Sequence, residues 1–340
     1  MSLSNFFKLI YNEQIKIYIR KSTWAMYLIL AILVIGIGFI EFTFGENETY
    51  EMGEQWRIEL EKENEQLLKE DEEFERKLAE GSEDLPFAPD IDKYKINSFY
   101  LQEDIKPVPF GAWQFIYETE MLLSLISLFT IIIAANIISS EHRWGTIKLL
   151  LIRPISRTTI LLSKYVSVLI FAVVTALFLF IFSFLTGAIL FGLEPGVNPH
   201  AVVYDFANTV KGVNISEEVD YLKYASLPLE TFSNYAYHMV ILIMMTTLAL
   251  MISTIFKNNA LAIGVAIFLM FAGNSIVAFF HEYSWAKYIL FANIDLSQYI
   301  NDNPMLEGLS LNFSIMILLI HFIIFIGVSW LVFVKRDVTE

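Results

Sequence analysis

Residues able to do covalent or metal chemistry are scarce in this chain and poorly spaced for it. The five histidines, His142, His200, His238, His281 and His321, never form a His-Glu-x-x-His pattern, which sets two imidazoles on one helix face around a metal. Only His321 falls deep in an apolar run, where a lone imidazole most simply satisfies a neighbouring helix. There is no cysteine, so disulfides, thiol catalysis and cysteine-ligated metals are excluded. No Gly-x-x-x-x-Gly-Lys-Ser/Thr loop is present to cradle ATP phosphates, and no Ser/His/Asp set falls at one plausible depth. What remains is chemistry of recognition. It is concentrated in Ile138 to Lys164, ISSEHRWGTIKLLLIRPISRTTILLSK, a basic stretch between two long apolar runs. Its start reads Glu-x-x-x-Gly-Thr-x-Lys and its end Arg-Pro-x-Ser-Arg.

As a helix from Ser140, this stretch carries Trp144, Ile147, Leu150 and Leu151 on one face and turns Glu141, Arg143 and Lys148 elsewhere. Pro154 then stops the helix, and Ser156 begins an N-cap sequence, Ser156-Arg157-Thr158-Thr159, into the next apolar run. A short helix with apolar knobs and a charged back can seat in a groove and transmit a push. A plain basic loop would need neither the tryptophan nor the Gly-Thr pair.

The elements that must position this stretch are membrane spans. The chain has 340 residues, 56% of them hydrophobic, with a mean hydropathy of +0.54. Its apolar residues gather in six runs, each near the roughly 20 residues that cross a hydrocarbon core as a helix. The fold class expected is an all-α polytopic membrane protein. The order is a leader at 1–23 and spans at 24–44, 115–138, 165–191, 235–256, 260–280 and 311–334. Between them come an acidic block at 45–114, a basic loop at 139–164 and loops at 192–234 and 281–310, with a turn at 257–259 and a tail at 335–340.

Charge orients these spans. The leader carries +3, the loop Ser140–Lys164 carries +4 and the Lys257 turn +1, against −12 for Gly45–Phe115, −4 for Leu193–Asn234 and −3 for His281–Ser310. The positive-inside rule therefore places both termini and the basic loop in the cytosol and the acidic block outside. The net charge of −14 has the wrong sign for a nucleic-acid partner. Intramembrane acids are nearly absent, which argues against a proton relay or a cation-coupled carrier. No span carries the polar stripe that a water-filled channel needs. A transporter without its own engine or coupling residue implies a separate engine.

The flanking segments read as follows. Leu3, Phe6, Phe7, Ile10, Tyr11, Ile17 and Tyr18 share one face of a leader helix, with Asn5, Lys8, Asn12, Glu13, Lys16 and Arg20 opposite, which suits the membrane interface. Gly36-Ile-Gly38 permits close approach to the first span. Glu51–Glu80 reads as a long exposed acidic helix with a sparse stripe of Trp56, Leu60, Leu67, Phe74 and Leu78. Trp113 and Tyr117 are interfacial anchors, while Glu118 and Glu120 either line a polar entrance or reach water. Trp285, Tyr288 and Phe291, at three-residue spacing, predict a helix on the outer surface.

At Glu141, Gly145, Thr146, Lys148, Leu149–Leu151, Pro154, Ser156, Arg157 and Lys164 the chain resembles the type-2 ATP-binding-cassette (ABC) transporter permeases, the exporter-type membrane subunits. The resemblance spans about 27 residues by motif, and most of the chain by its six spans, inside termini and leader. It implies that the loop is a coupling helix docked on a separate nucleotide-binding subunit. The ATPase-coupling residues carried over are Glu141, Arg143, Trp144, Gly145, Thr146, Lys148, Leu150, Leu151, Arg153 and Pro154. It also implies a second permease subunit, identical or homologous, with ATP and Mg bound by the partner ATPase. The acidic insertion of roughly 70 residues departs from the family's shorter loop.

The function expected is therefore a permease subunit of an ABC exporter in the bacterial plasma membrane, itself not an enzyme and surrounded by lipid. Its cargo is expected to be an antimicrobial peptide or other amphiphile drawn by the acidic block. The rival is a non-transporting membrane sensor whose acidic outer domain binds a partner.

Overall fold

The computed structural model describes residues 3–45, 55–81, 88–146, 155–194, 196–204, 222–256, 258–299 and 304–335. A leader helix α1 (Leu3–Tyr18) turns at the extended residue Arg20 into α2 (Lys21–Phe44). Helices α3 (Gln55–Ala79) and α4 (Ile91–Gln102) follow. Next come α5 (Ala112–Thr119), a 3₁₀ turn at Glu120–Leu122 and α6 (Leu123–Arg143). After α7 (Arg157–Leu190), a ribbon of β1 (His200–Tyr204) and β2 (Leu222–Ser226) leads directly into α8 (Leu227–Ile255). The chain continues through α9 (Asn259–Phe279), the four-residue α10 (Leu290–Asn293) and α11 (Leu311–Lys335).

Six helical stretches are long and apolar enough to cross a membrane: Lys21–Phe44, Ala112–Arg143, Arg157–Leu190, Leu227–Ile255, Asn259–Phe279 and Leu311–Lys335. The molecule is a helical multi-pass membrane protein. Ala112–Arg143 and Leu227–Ile255 lie at the centre of the bundle, while α2, α9 and α11 leave most of their apolar surface uncovered, as lipid-facing helices do.

Local chemistry sets the helix ends. Ser156 Oγ accepts from Thr159 N at 3.2 Å and opens α7 where the sequence placed its cap. Asn258 Oδ1 does the same for α9, accepting from Ala260 N and Leu261 N. Between spans, small residues and hydroxyls allow close packing. A Cβ on Gly38 would meet Leu190, Phe115 and Thr186, whereas Gly36 has nothing within 4 Å. Ser253 Oγ on α8 accepts from Ile138 N and Ser139 N on α6 at 3.2 and 3.1 Å.

The structure departs from the sequence reading in four places. Within the helical architecture, an antiparallel ribbon pairs His200 with Ser226 and Tyr204 with Leu222, in a loop whose sequence named no strand. This ribbon completes a small apolar cluster of Trp56, Leu60, Tyr100, Val202 and Leu222, and Tyr100 Oη accepts from Val202 N at 3.1 Å. The α3 stripe is buried from Trp56 through Leu67, Phe74 is partly covered and Leu78 is half exposed. The expected surface helix through Trp285, Tyr288 and Phe291 is broken into a 3₁₀ turn at Ala286–Tyr288 and α10, because Ile289 is extended between them. Phe291 turns inward onto Gly273, where no side chain larger than hydrogen fits. Finally, Ser140–Arg143 do not begin a new helix. They form the last turn of α6, which the main-chain bond Trp144 N to Ser140 O extends beyond residue 138.

Candidate functional site

Helix α6 ends in a left-handed glycine. Trp144 N bonds Ser140 O at 2.9 Å, Gly145 N bonds His142 O at 3.1 Å, and Gly145 has φ +69°. Such a conformation is costly for any residue with a Cβ. At this helix end Trp144 is more than half exposed and stacked under the Arg20 guanidinium at 5.4 Å. Thr146 Oγ1 closes back on Glu141 Oε2. Lys148, Leu150, Leu151, Arg153 and Pro154, and with them the apolar face expected there, lie outside the described residues. Arg143 is exposed, and Arg157 donates to Val334 O on α11 at 2.7 Å.

Glu141 is buried, and the reason lies in two elements distant in sequence. Lys164, almost two turns into α7, is only 1% exposed. Its Nζ donates to Glu13 Oε2 at 2.9 Å, Glu141 Oε1 at 3.0 Å and Ile137 O at 3.3 Å, which uses all three ammonium protons. Lys16 Nζ bridges the same two carboxylates, at 2.8 Å from Glu13 Oε1 and 3.1 Å from Glu141 Oε1. Two acids and two ammoniums thus form a neutral quartet, in which Glu13, Glu141 and Lys164 are buried and Lys16 reaches the surface. Burial would lower the Lys16 ammonium, yet Glu13 and Glu141 together hold it above its usual value. Two further bonds seat α1 on α7: Gln14 Nε2 to Ser167 O at 2.7 Å and Ser167 Oγ to Ile10 O at 3.3 Å.

The quartet corrects the leader reading. Glu13, assigned to the polar face, is 7% exposed beside Ile10 and Ile17, while Phe7 and Tyr11 of the face expected at the membrane interface are more than 60% exposed, open to lipid. Electrostatics overrides the amphipathic pattern here, since a buried ammonium demands a carboxylate. The structure brings Glu141, Trp144, Gly145 and Thr146 together with Lys164, and adds Glu13, Lys16 and Arg20. The one clue in sequence was a lysine heading a long apolar run.

Ion pairs of this kind hold elements in register more than they add net stability. Replacing a whole buried group with apolar residues is often neutral, but removing a single member costs about 3–5 kcal/mol through the charge left behind. Here the register fixed is that of α1 against α6 and α7, the two helices from which residues 147–154 are suspended.

A family model described as "Protein of unknown function (DUF2705)" matches residues 90–339. The chain is 36% identical over 338 residues to the uncharacterized protein YhcI of Bacillus subtilis, covering 98% of this chain and 99% of that one. It is 31% identical over 223 residues to the uncharacterized membrane protein YdbK of the same organism, covering 65% and 80% respectively. The six apolar helices agree with the description of YdbK as a membrane protein. By the reach of the family model and the full-length match to YhcI, this chain belongs to the DUF2705 family.

Proposed function

We propose that this chain is the permease subunit of an ABC exporter in the bacterial plasma membrane, driven by a separately encoded ATPase bound at the Trp144 loop. The observation that supports this reading most is the Glu13–Lys16–Glu141–Lys164 quartet, buried at every member but Lys16. It clamps α1 to both helices that bear residues 147–154, so a displacement of that segment moves three helix ends as one block. Exposed Trp144 and the left-handed Gly145 set the exit geometry of the loop. In this reading the termini and the loop face the cytosol, the acidic helices α3 and α4 face outward, and a second permease subunit completes the transporter. ATP and Mg belong to the partner, and the cargo is an amphiphile that crosses outward.

The test is co-purification with an ATPase subunit encoded beside this chain. Association is expected for the wild type and is expected to be lost in Glu141→Arg and Gly145→Pro. Retention of the ATPase by both variants, in folded protein, would falsify the coupling reading. The rival reading, a sensor with an outer binding domain, draws on the separate apolar cluster of α3, α4 and the ribbon. It expects both variants to behave as wild type and the chain to transport nothing.

A further inference from the structure

At the end of the bundle opposite the Trp144 loop, a carboxylate lies inside the membrane helices without a cation. Glu120 stands in the 3₁₀ turn between α5 and α6, within the span Ala112–Arg143. Both of its oxygens accept from one amide, Asn234 Nδ2, at 2.9 and 3.0 Å. The neighbouring acid Glu230 is already paired with Lys223 at 3.0 Å, and no ammonium or guanidinium reaches Glu120 among the described residues. A carboxylate at this depth calls for a positive partner.

The surroundings are unusual in two independent ways. First, they are aromatic. Trp113 lies 6.2 Å from Phe180 and 6.1 Å from Phe232, and Phe180 stacks on Phe232 at 5.5 Å and meets Tyr235 edge-on at 5.6 Å. Asn234, which holds Glu120, is followed directly by Tyr235 on α8, so the carboxylate and the ring cluster sit on adjoining residues. Second, polar atoms are left unused. Thr231 is 0% exposed and its hydroxyl has no hydrogen-bond partner among the described residues; the Tyr235 hydroxyl is likewise buried and unpartnered. Thr231 lies one turn from Leu227, which packs on Trp113 and Tyr117, and three residues before Asn234, which holds Glu120. It therefore lies on the same face of α8 as both of them. Orphaned buried hydroxyls are costly, and a ligand would satisfy them.

We propose that Glu120, held by Asn234 beside the ring cluster of Tyr235, Phe180 and Trp113, binds the ammonium group of an amphiphile whose chain lies along the exposed Phe232. Aromatic faces and a carboxylate are the chemistry that recognises organic ammonium ions. A divalent metal asks for several oxygen ligands, and no group of three acidic or histidine side chains forms among the described residues. The site names a cargo class for the exporter and rests on that reading only for its transport role, since binding itself needs no ATPase.

The test is a calorimetric titration of the full chain in neutral maltoside micelles with three probes: decyltrimethylammonium, decylamine, and a neutral decyl isostere ending in a tert-butyl group. Saturable binding of an ammonium probe is expected, with the isostere inert. Preference for one of the two amines separates a methylated headgroup from a free amine. Glu120→Gln is expected to weaken binding about tenfold or more, and Tyr235→Leu to weaken it while the wild-type melting temperature is kept. Absence of saturable binding, equal binding of the isostere, or wild-type affinity in a folded Glu120→Gln protein each overturns the site. ATPase co-purification by Glu120→Gln is read in parallel. Its loss counts against the coupling reading and not against the site, because the quartet is untouched.

Discussion

Lys164 Nζ lies 2.9 Å from Glu13 Oε2, joining a leader helix to a membrane span across 151 positions of sequence. With Ile137 O and Glu141 Oε1 as its other acceptors, Lys164 is a fully satisfied ammonium in an apolar setting. Four predictions follow from this contact and from the glycines that shape the helices around it.

Lys164→Met leaves Glu13 and Glu141 facing each other with only the half-exposed Lys16 between them. Thermal unfolding in detergent is expected to show a loss of about 3–5 kcal/mol. Adding Glu13→Gln should recover part of it, because Lys16 and Glu141 then remain as a single neutral pair. A single variant as stable as wild type would show that Lys164 is not buried against these acids.

On the proposed coupling role, the left-handed Gly145 predicts a graded series of ATPase association. Gly145→Asn keeps the helix end and the ATPase association, since asparagine tolerates this conformation. Gly145→Val costs about 1–2 kcal/mol locally and redirects the chain after Trp144, so association falls while the bulk melting temperature hardly moves. Equal association in both variants would remove the role given to the backbone here.

Lys16 gives a pH signature. Its ammonium is held above the ordinary 10.5 in the folded chain, against the opposing effect of burial. A raised folded value means that the stabilisation is complete below the unfolded value and is lost as pH climbs through the folded one. The stability difference between wild type and Lys16→Gln is therefore expected to be constant near neutrality and to shrink at strongly alkaline pH. Melting curves taken across that range check it; a difference that grows with pH has the wrong sign.

Two glycines separate packing from pattern. A Cβ on Gly187 would come within 3.0 Å of the Ala112 main chain, while Gly36 has open space. Gly187→Ala is expected to destabilise by about 1–3 kcal/mol, and Gly36→Ala to change stability by no more than about 0.5 kcal/mol. The melting temperatures of the two variants, measured side by side, decide it.

Much of the architecture was legible in the residues alone. A run such as Leu311–Lys335 declares itself by length and apolarity, because each membrane helix satisfies its own backbone and needs no partner to be recognised. The cap at Ser156 was legible for the same local reason. The end of α6 was not, because the amphipathic spacing from Ser140 fits a continued span as well as a new helix, and the glycine decides between them. Nor was the ribbon, since a strand is defined by its partner, and nothing within His200–Tyr204 names Leu222–Ser226 as that partner.

The sequence by itself determined the six apolar helices, the charge asymmetry between their loops and the cap at Ser156. Only the tertiary structure decided that Glu13 turns inward, that Lys164 takes Glu13 and Glu141 as its acids, and that Glu120 is left among aromatic rings with an amide alone. The physical reason is the range of the forces involved. Hydrophobic transfer and helix capping act within a segment and leave a periodic trace, whereas the partner of a buried charge is set by which helices meet, and spacing along the chain carries no record of that.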